Sequence, residues 1–227
     1  MIASGEGSGN EALDSLIGTG YPKKMITQIY GEPGSGKSTI CLFAAVTVLK
    51  KGGTVVYMDT ENFSVDRFSQ IAGDDAELLA DRLFLFEPVD FDQQALMINQ
   101  AEAVIRDNKA RLFVLDSATS LYRTEFEHMQ EALQRFTKQM IILLGYAKRY
   151  NIPILVTNQV YMDLNRGDFA PLGGTGMHHL CKVILKIERT DDIRRIKVIK
   201  HHSKPEGAYT DLILVHDGIQ TPNTVPE

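Results

Sequence analysis

The chain has 227 residues, a formal charge of −5, and 44% apolar against 23% charged side chains. That length suits one domain with a sizeable core, here residues 1–227, rather than two. The composition is that of a soluble globular protein, no apolar run approaches the roughly 20 residues that span a bilayer, and the acidic balance excludes a surface given over wholly to nucleic acid.

In chain order, the opening MIASGEGSGNEALDSL has neither the basic nor the apolar region of a secretory signal, which places the protein in the cytoplasm. MITQIY (25–30) then begins a series of apolar runs continued by TVVYMD (54–59), RLFLFEP (82–88), RLFVLD (111–116) and IPILVT (152–157). Unbroken runs of this kind, alternating with helical patterns, predict parallel strands covered on both faces and hence an α/β fold around a central, mostly parallel sheet.

Directly after the first run stands GEPGSGKST (31–39), in which Gly31, Gly36, Lys37 and Ser38 meet the spacing G-x-x-x-x-G-K-S between a strand and the helical STICLFAAVTVLKK. This is a phosphate-binding loop made of Gly31, Glu32, Pro33, Gly34, Ser35, Gly36, Lys37, Ser38 and Thr39. Its glycines let successive backbone N–H groups converge on phosphates, Lys37 reaches the β and γ oxygens of ATP, and Ser38 offers a hydroxyl to Mg²⁺.

The second Mg²⁺ ligand is expected at a neighbouring strand end, where RLFVLD supplies Asp116; capping of the next segment is the alternative role. Ser117 follows where many ATPases carry a glutamate, so polarising the attacking water falls to Glu61 in VVYMDTEN, beside Asp59. Capping a helix near 64–73 is the alternative for Glu61. Gln159 in VTNQV closes the strand 152–157, where its amide can donate to a γ-phosphate.

The longest helical pattern, about 125–150, spaces Phe126, Met129, Leu133, Phe136, Met140, Leu143 and Ala147 by three and four, a stripe that packs one face on the sheet. Residues 160–175 lack periodicity and are rich in Gly, Asp and Asn, which predicts a functional or disordered loop. CKVILKIER (181–189), IRRIKVIKHH (193–202) and TDLILVH (210–216) predict antiparallel strands extending the sheet, and GIQTPNTVPE a frayed end. Cys41 and Cys181 lie in apolar stretches and read as buried thiols, and the pairs His178/His179 and His201/His202 lack metal-ligand spacing.

The order of GEPGSGKS, MDTEN, LDSATSLYR and VTNQV, then a Gly-rich loop and KHHSKPEG, resembles the ATPase core of RecA-type recombinases, in particular the archaeal RadA/RadB and eukaryotic Rad51-like group, over nearly the whole chain. The chain shows neither the N-terminal helical DNA-binding domain nor the Phe-x-x-Ala linker of RadA-type members and is similar in this to the short RadB paralogues.

The resemblance implies a RecA-type ATPase core with ATP and Mg²⁺ as ligands, Glu61 as catalytic base and Gln159 as γ-phosphate switch. It implies a first DNA-facing loop through Arg123 and a second over 160–175 that includes Arg166. Arg67 matches an arginine that stacks on adenine; on the residues alone it is equally a solvated helix arginine. Lys200 stands where RadA-type proteins have an acidic residue, so it would bind phosphate, either of a nucleotide across a protomer interface or of DNA. With His201, His202 and Lys204 it belongs to the chain's one basic cluster, whose plain alternative is a solvated strand face.

The function implied is that of an ATP-binding, weakly hydrolysing DNA repair and recombination protein. It would bind single-stranded DNA and assist a RadA-type recombinase, with a Holliday-junction resolvase as a further partner and a homodimer rather than a long filament as its assembly. A KaiC-like regulatory ATPase without a DNA role and, less well matched, a small-molecule kinase are the alternatives.

Overall fold

The computed structural model describes residues 5–125, 129–163 and 168–222. The elements are β1 (Gly5–Glu6), α1 (Glu11–Ile17), β2 (Tyr21–Pro22), β3 (Ile26–Gly31), α2 (Lys37–Lys50), β4 (Val55–Asp59), α3 (Val65–Ala72), α4 (Ala76–Ala80) and β5 (Leu83–Phe86). There follow α5 (Phe91–Asp107), β6 (Leu112–Asp116), α6 (Met129–Tyr150), β7 (Ile154–Asn158), β8 (Val160–Asp163), β9 (Asp168–Pro171), α7 (Gly174–Leu180), β10 (Val183–Thr190), β11 (Ile193–Lys200), β12 (Tyr209–Val215) and β13 (Gly218–Gln220).

Nine strands form one sheet in the order β13-β12-β11-β10-β3-β7-β6-β4-β5. It is parallel from β10 to β5 and antiparallel from β10 to β13. β3, β4, β6 and β7 are buried at every position, which is why their sequences run apolar without alternation. Successive side chains still go to opposite faces: Val55, Tyr57 and Val114 join one core layer with α2, α3 and α4, whereas Val56, Met58 and Phe113 join a second layer with α5, α6 and α7. Each fully buried Leu or Phe in these layers contributes roughly 1.5–3 kcal/mol.

β5 departs from expectation by being half-exposed. It is an edge strand, paired only with β4, and needs no cover on its free side. The stripe on α6 also divides. Phe136, Met140, Leu143 and Ala147 are buried, Met129 and Leu133 are exposed, and Phe126 lies outside the described residues. The 22 residues of α6 rise about 33 Å against about 17 Å for the five of β7, so the first turns overhang the carboxyl ends of the strands.

The described parts of 160–175 carry regular structure where composition predicts a loop. β8 and β9 pair as an antiparallel hairpin and α7 follows. Gly218–Gln220, expected to fray, instead adds a strand to β12, because Ile219 is buried in the layer of α2 and Gly218, at a φ of 135°, lets the chain reverse against Phe43. No helix among the described residues is long and apolar enough to cross a membrane. Cys41 and Cys181 are both free and buried.

Candidate functional site

Parallel strands aligned in one sense bring their carboxyl ends to one edge, and Gly31, Asp59, Asp116 and Asn158 are the last residues of β3, β4, β6 and β7. There the loop 31–36 turns into α2. Gly36 caps the helix at a φ of 99°, in the left-handed region, and a Cβ on it would lie 3.0 Å from Leu214. Gly31 is excluded from substitution differently: a Cβ would stand 2.5 Å from the Ile187 carbonyl oxygen. No side chain caps α2, so its first N–H groups face a cavity of about 380 Å³ lined by the loop, Glu61, Asp116, Arg123, Gln159 and Leu214.

Lys37 Nζ donates to the carbonyls of Gly31 and Glu32, each at 3.0 Å, which holds the ammonium over the loop. Burial lowers its pKa, and the charges of Asp116 and Glu61 oppose that shift. Asp116 is 4% exposed; it accepts from Tyr57 Oη at 2.9 Å and from Thr157 Oγ1 at 2.5 Å. Burial pushes its carboxyl up, against the hydrogen bonds from Thr157, Tyr57 and Ser38. Ser38 and Asp116 both line the cavity, and hard oxygen donors with surplus negative charge nearby suit Mg²⁺. Ser38 and Asp116 would hold the ion, which would neutralise phosphate charge when bound.

Asp59, in register with Asp116 across β4 and β6, has its pKa raised to about 6 by burial, with Asp116, Glu61 and Glu87 adding repulsion; the Glu61 N–H donated to Oδ1 at 2.8 Å works the other way. A carboxyl raised in the fold favours folding at acid pH, and that contribution is lost as pH rises through about 6. Asp59→Asn keeps the acceptor for the Glu61 N–H and removes the charge. It is expected to raise the thermal midpoint at pH 7.5, to raise it less at pH 5, where the unfolded carboxyl is already ionised, and to leave it almost unchanged near pH 3, read by calorimetry without nucleotide.

Glu61, expected on this edge, is 2.6 Å from Gln159 Nε2, and Arg123 Nη1 donates to Gln159 Oε1 at 2.8 Å. One glutamine amide therefore connects the carboxylate beside the phosphate loop to an arginine of the segment after β6. Ser64, rather than Glu61, caps α3. β8 begins at Val160, directly after Gln159. The hairpin it forms is tied back where Leu172 N donates to the Gln159 carbonyl at 3.1 Å and Asn158 Nδ2 to the Leu172 carbonyl at 2.7 Å. Tyr57, Thr157 and Leu214 join the site without having been singled out in the sequence. The first two reach Asp116 through the pairing of β4, β6 and β7 rather than through a local pattern.

Arg67 does not line this cavity. Its guanidinium donates to the carbonyls of Val215, His216 and Gly218 at 2.8, 2.7 and 3.3 Å, pinning the turn between β12 and β13, and to Gln70 Oε1 at 2.9 Å. Arg67→Ala is expected to cost about 1–2 kcal/mol in denaturant unfolding. Unchanged ATP affinity in that variant would assign the residue to the turn, and a fall would assign it to the base.

Matched against protein families, the chain fits Rad51 over residues 5–222. The chain belongs to the Rad51 family. It is 53% identical over 216 residues to the DNA repair and recombination protein RadB of Methanoculleus marisnigri, covering 94% of this chain and 96% of that one. It is 39% identical over 203 residues to the RadB of Archaeoglobus fulgidus, covering 88% and 90%. A crystal structure of the RadB recombinase superposes with a TM-score of 0.82 at 33% identity over 95% of this chain and 99% of that one. The fold is accordingly of the RecA type, with its antiparallel extension at the C-terminal side.

Within this Rad51-family fold the basic segment 200–204 is engaged internally. Lys200 Nζ donates to the carbonyl of His178 in the last turn of α7, and Lys204 Nζ to that of Ser15 in the last turn of α1 at 3.0 Å. Both ammonium groups thereby offset helix C-termini. His201 Nδ1 accepts from the N–H groups of Ser203 and Lys204 at 3.0 Å, which leaves the proton on Nε2 to meet the Ile17 carbonyl at 3.1 Å. Burial, and then the charges of His202 and Lys204, lower its pKa. His202 is exposed and stacks on His201 at 4.3 Å. Arg195, earlier on β11, forms a two-pronged pair with Asp211 at 2.8 Å. Arg166 lies outside the described residues.

Proposed function

We propose that the protein is an ATP-binding, weakly hydrolysing recombination protein that binds single-stranded DNA and assists a RadA-type recombinase. The reading rests on one observation, the chain of contacts from Glu61 through Gln159 to Arg123 and the β8–β9 hairpin. A γ-phosphate seated beside Lys37 competes for the Gln159 amide. Releasing Gln159 from Glu61 frees the carboxylate to polarise water and, through the same side chain, changes the hold on Arg123. Slow turnover follows from the same bond, because a base occupied by a 2.6 Å donor is a poor acceptor for water. The family relationship supports DNA as the partner of Arg123 and the hairpin, with His202 as the member of the 200–204 segment whose ring remains exposed.

The test is anisotropy of labelled single-stranded DNA at low and moderate salt, with and without ATP–Mg²⁺. Affinity is expected to fall with salt and to respond to nucleotide. Gln159→Ala should abolish the response while leaving DNA bound, and Arg123→Ala should weaken binding itself. The internal bonds of Lys200 and Lys204 favour a second reading, a regulatory ATPase without DNA. An absence of DNA binding at low salt in every nucleotide state would establish that reading instead.

A further inference from the structure

At the opposite end of the sheet from the phosphate loop, the segments entering β3, β6 and β7 enclose a cleft of about 300 Å³ lined by Lys23, Arg106, Lys109 and Arg111, with Tyr150 and Ile152 as its apolar wall. In a chain whose net charge is −5, these four cations face two carboxylates. Glu6, 3% exposed, pairs with Lys23 at 3.1 Å and Arg111 at 2.8 Å, and Asp107 pairs with Arg106 at 2.7 Å. The nearby Glu102 is taken by Arg149 and by Tyr150 Oη. Lys109 is exposed and has no ion-pair partner among the described residues.

Cations at helix C-termini ordinarily offset the helix dipole, but here the terminal carbonyls of α5 and α6 already have backbone partners. Ala110 N donates to Ile105 at 3.0 Å, Asn108 N to Val104 at 3.1 Å, and Ile152 N to Ala147 at 3.2 Å. The rim is also held in left-handed backbone by three residues other than glycine, Lys24, Lys109 and Asn151, at φ of 64°, 50° and 56°.

We propose that this basal cleft is an oxyanion site that takes a dianionic phosphate group, either free inorganic phosphate or the terminal phosphate of an oligonucleotide. Four cations against two carboxylates leave a charge of +2, matching the roughly −1.5 to −2 of a phosphate monoester near neutral pH. A lone carboxylate of an acidic peptide, or one internal phosphodiester, would leave a cation unbalanced. Arg106 and Arg111 commit Nε and Nη2 to Asp107 and Glu6, so a phosphate oxygen would meet the remaining Nη1 of each guanidinium together with Lys109, a movable point charge.

The experiment uses the full chain carrying Lys37→Ala, so that the phosphate loop does not compete. It titrates inorganic phosphate, then one oligonucleotide with and without a 5′-phosphate, by calorimetry and thermal shift. The variant is Lys109→Asn with Arg106→Gln, chosen because Asn tolerates the left-handed backbone at 109 and neither change touches buried Glu6. Saturable phosphate binding that weakens at least about tenfold in this variant supports the site. A 5′-phosphate advantage lost in the same variant identifies a nucleic-acid end as the source, and its absence identifies free phosphate. Binding unaltered by the variant, or competition by polyglutamate but not by phosphate, overturns the proposal. ATP binding to the chain with Lys37 intact should be unaffected by the basal changes.

Discussion

Lys37→Ala is expected to lower ATP affinity by at least about tenfold and hydrolysis by roughly 10²–10³. The ammonium feels the charges of Glu61 and Asp116, and its hydrogen bonds to the Gly31 and Glu32 carbonyls place it over the mouth of the loop. Without it the triphosphate would meet the two carboxylates of Glu61 and Asp116 with only backbone N–H groups in support. The fold should survive, because Lys37 bonds only to carbonyls of its own loop. The melting curve without nucleotide is therefore expected to be unshifted, while the ATP-dependent rise in thermal midpoint disappears. Persistence of that rise would mean that the nucleotide is seated elsewhere. Lys37→Arg is a useful control: it keeps the charge but is too broad for the space under the loop, so recovery by Arg would reduce the role of Lys37 to charge alone.

How much of this site was readable in the sequence follows from how local each contact is. The phosphate loop is a matter of nine consecutive residues and one helix, and its spacing alone places Lys37 and Ser38. Asp116 was legible because an apolar strand ending in a carboxylate has few other reasons to do so. Tyr57 and Thr157 were not, since they reach Asp116 only through the parallel register of β4, β6 and β7, which no local pattern encodes. The carbonyls that Arg67 holds lie 148 to 151 residues away, invisible to side-chain reasoning. The β8–β9 hairpin escaped because its strands are short and carry Asp, Pro and Gly-rich neighbours, weak in strand propensity; their pairing is supported by the ties from Asn158 and Gln159. The basic segment misleads in the other direction. Composition counts charges but cannot show that Lys200 and Lys204 already serve helix ends.

Glu61→Gln separates the chemistry from the coupling. The substituted side chain keeps its shape and a carbonyl oxygen that can still accept from Gln159 Nε2, so the link onward to Arg123 is preserved. It loses the ability to take a proton from water. Turnover is therefore expected to fall by about 10²–10⁴ with ATP affinity unchanged and with the DNA response to ATP intact. Gln159→Ala should do the reverse, abolishing the DNA response while leaving Glu61 free to act. Single-turnover hydrolysis beside anisotropy on the same samples reads both quantities. If Glu61→Gln hydrolyses ATP at the original rate, the base is another group, and Asp59 is the nearest candidate: its carboxyl, titrating at about 6, is poised to hold a proton and accepts the Glu61 N–H from 2.8 Å. A rate that then rises through pH 6 and disappears in Asp59→Asn would transfer the role. A rate independent of pH there would leave the chemistry to positioning and charge in the phosphate loop alone.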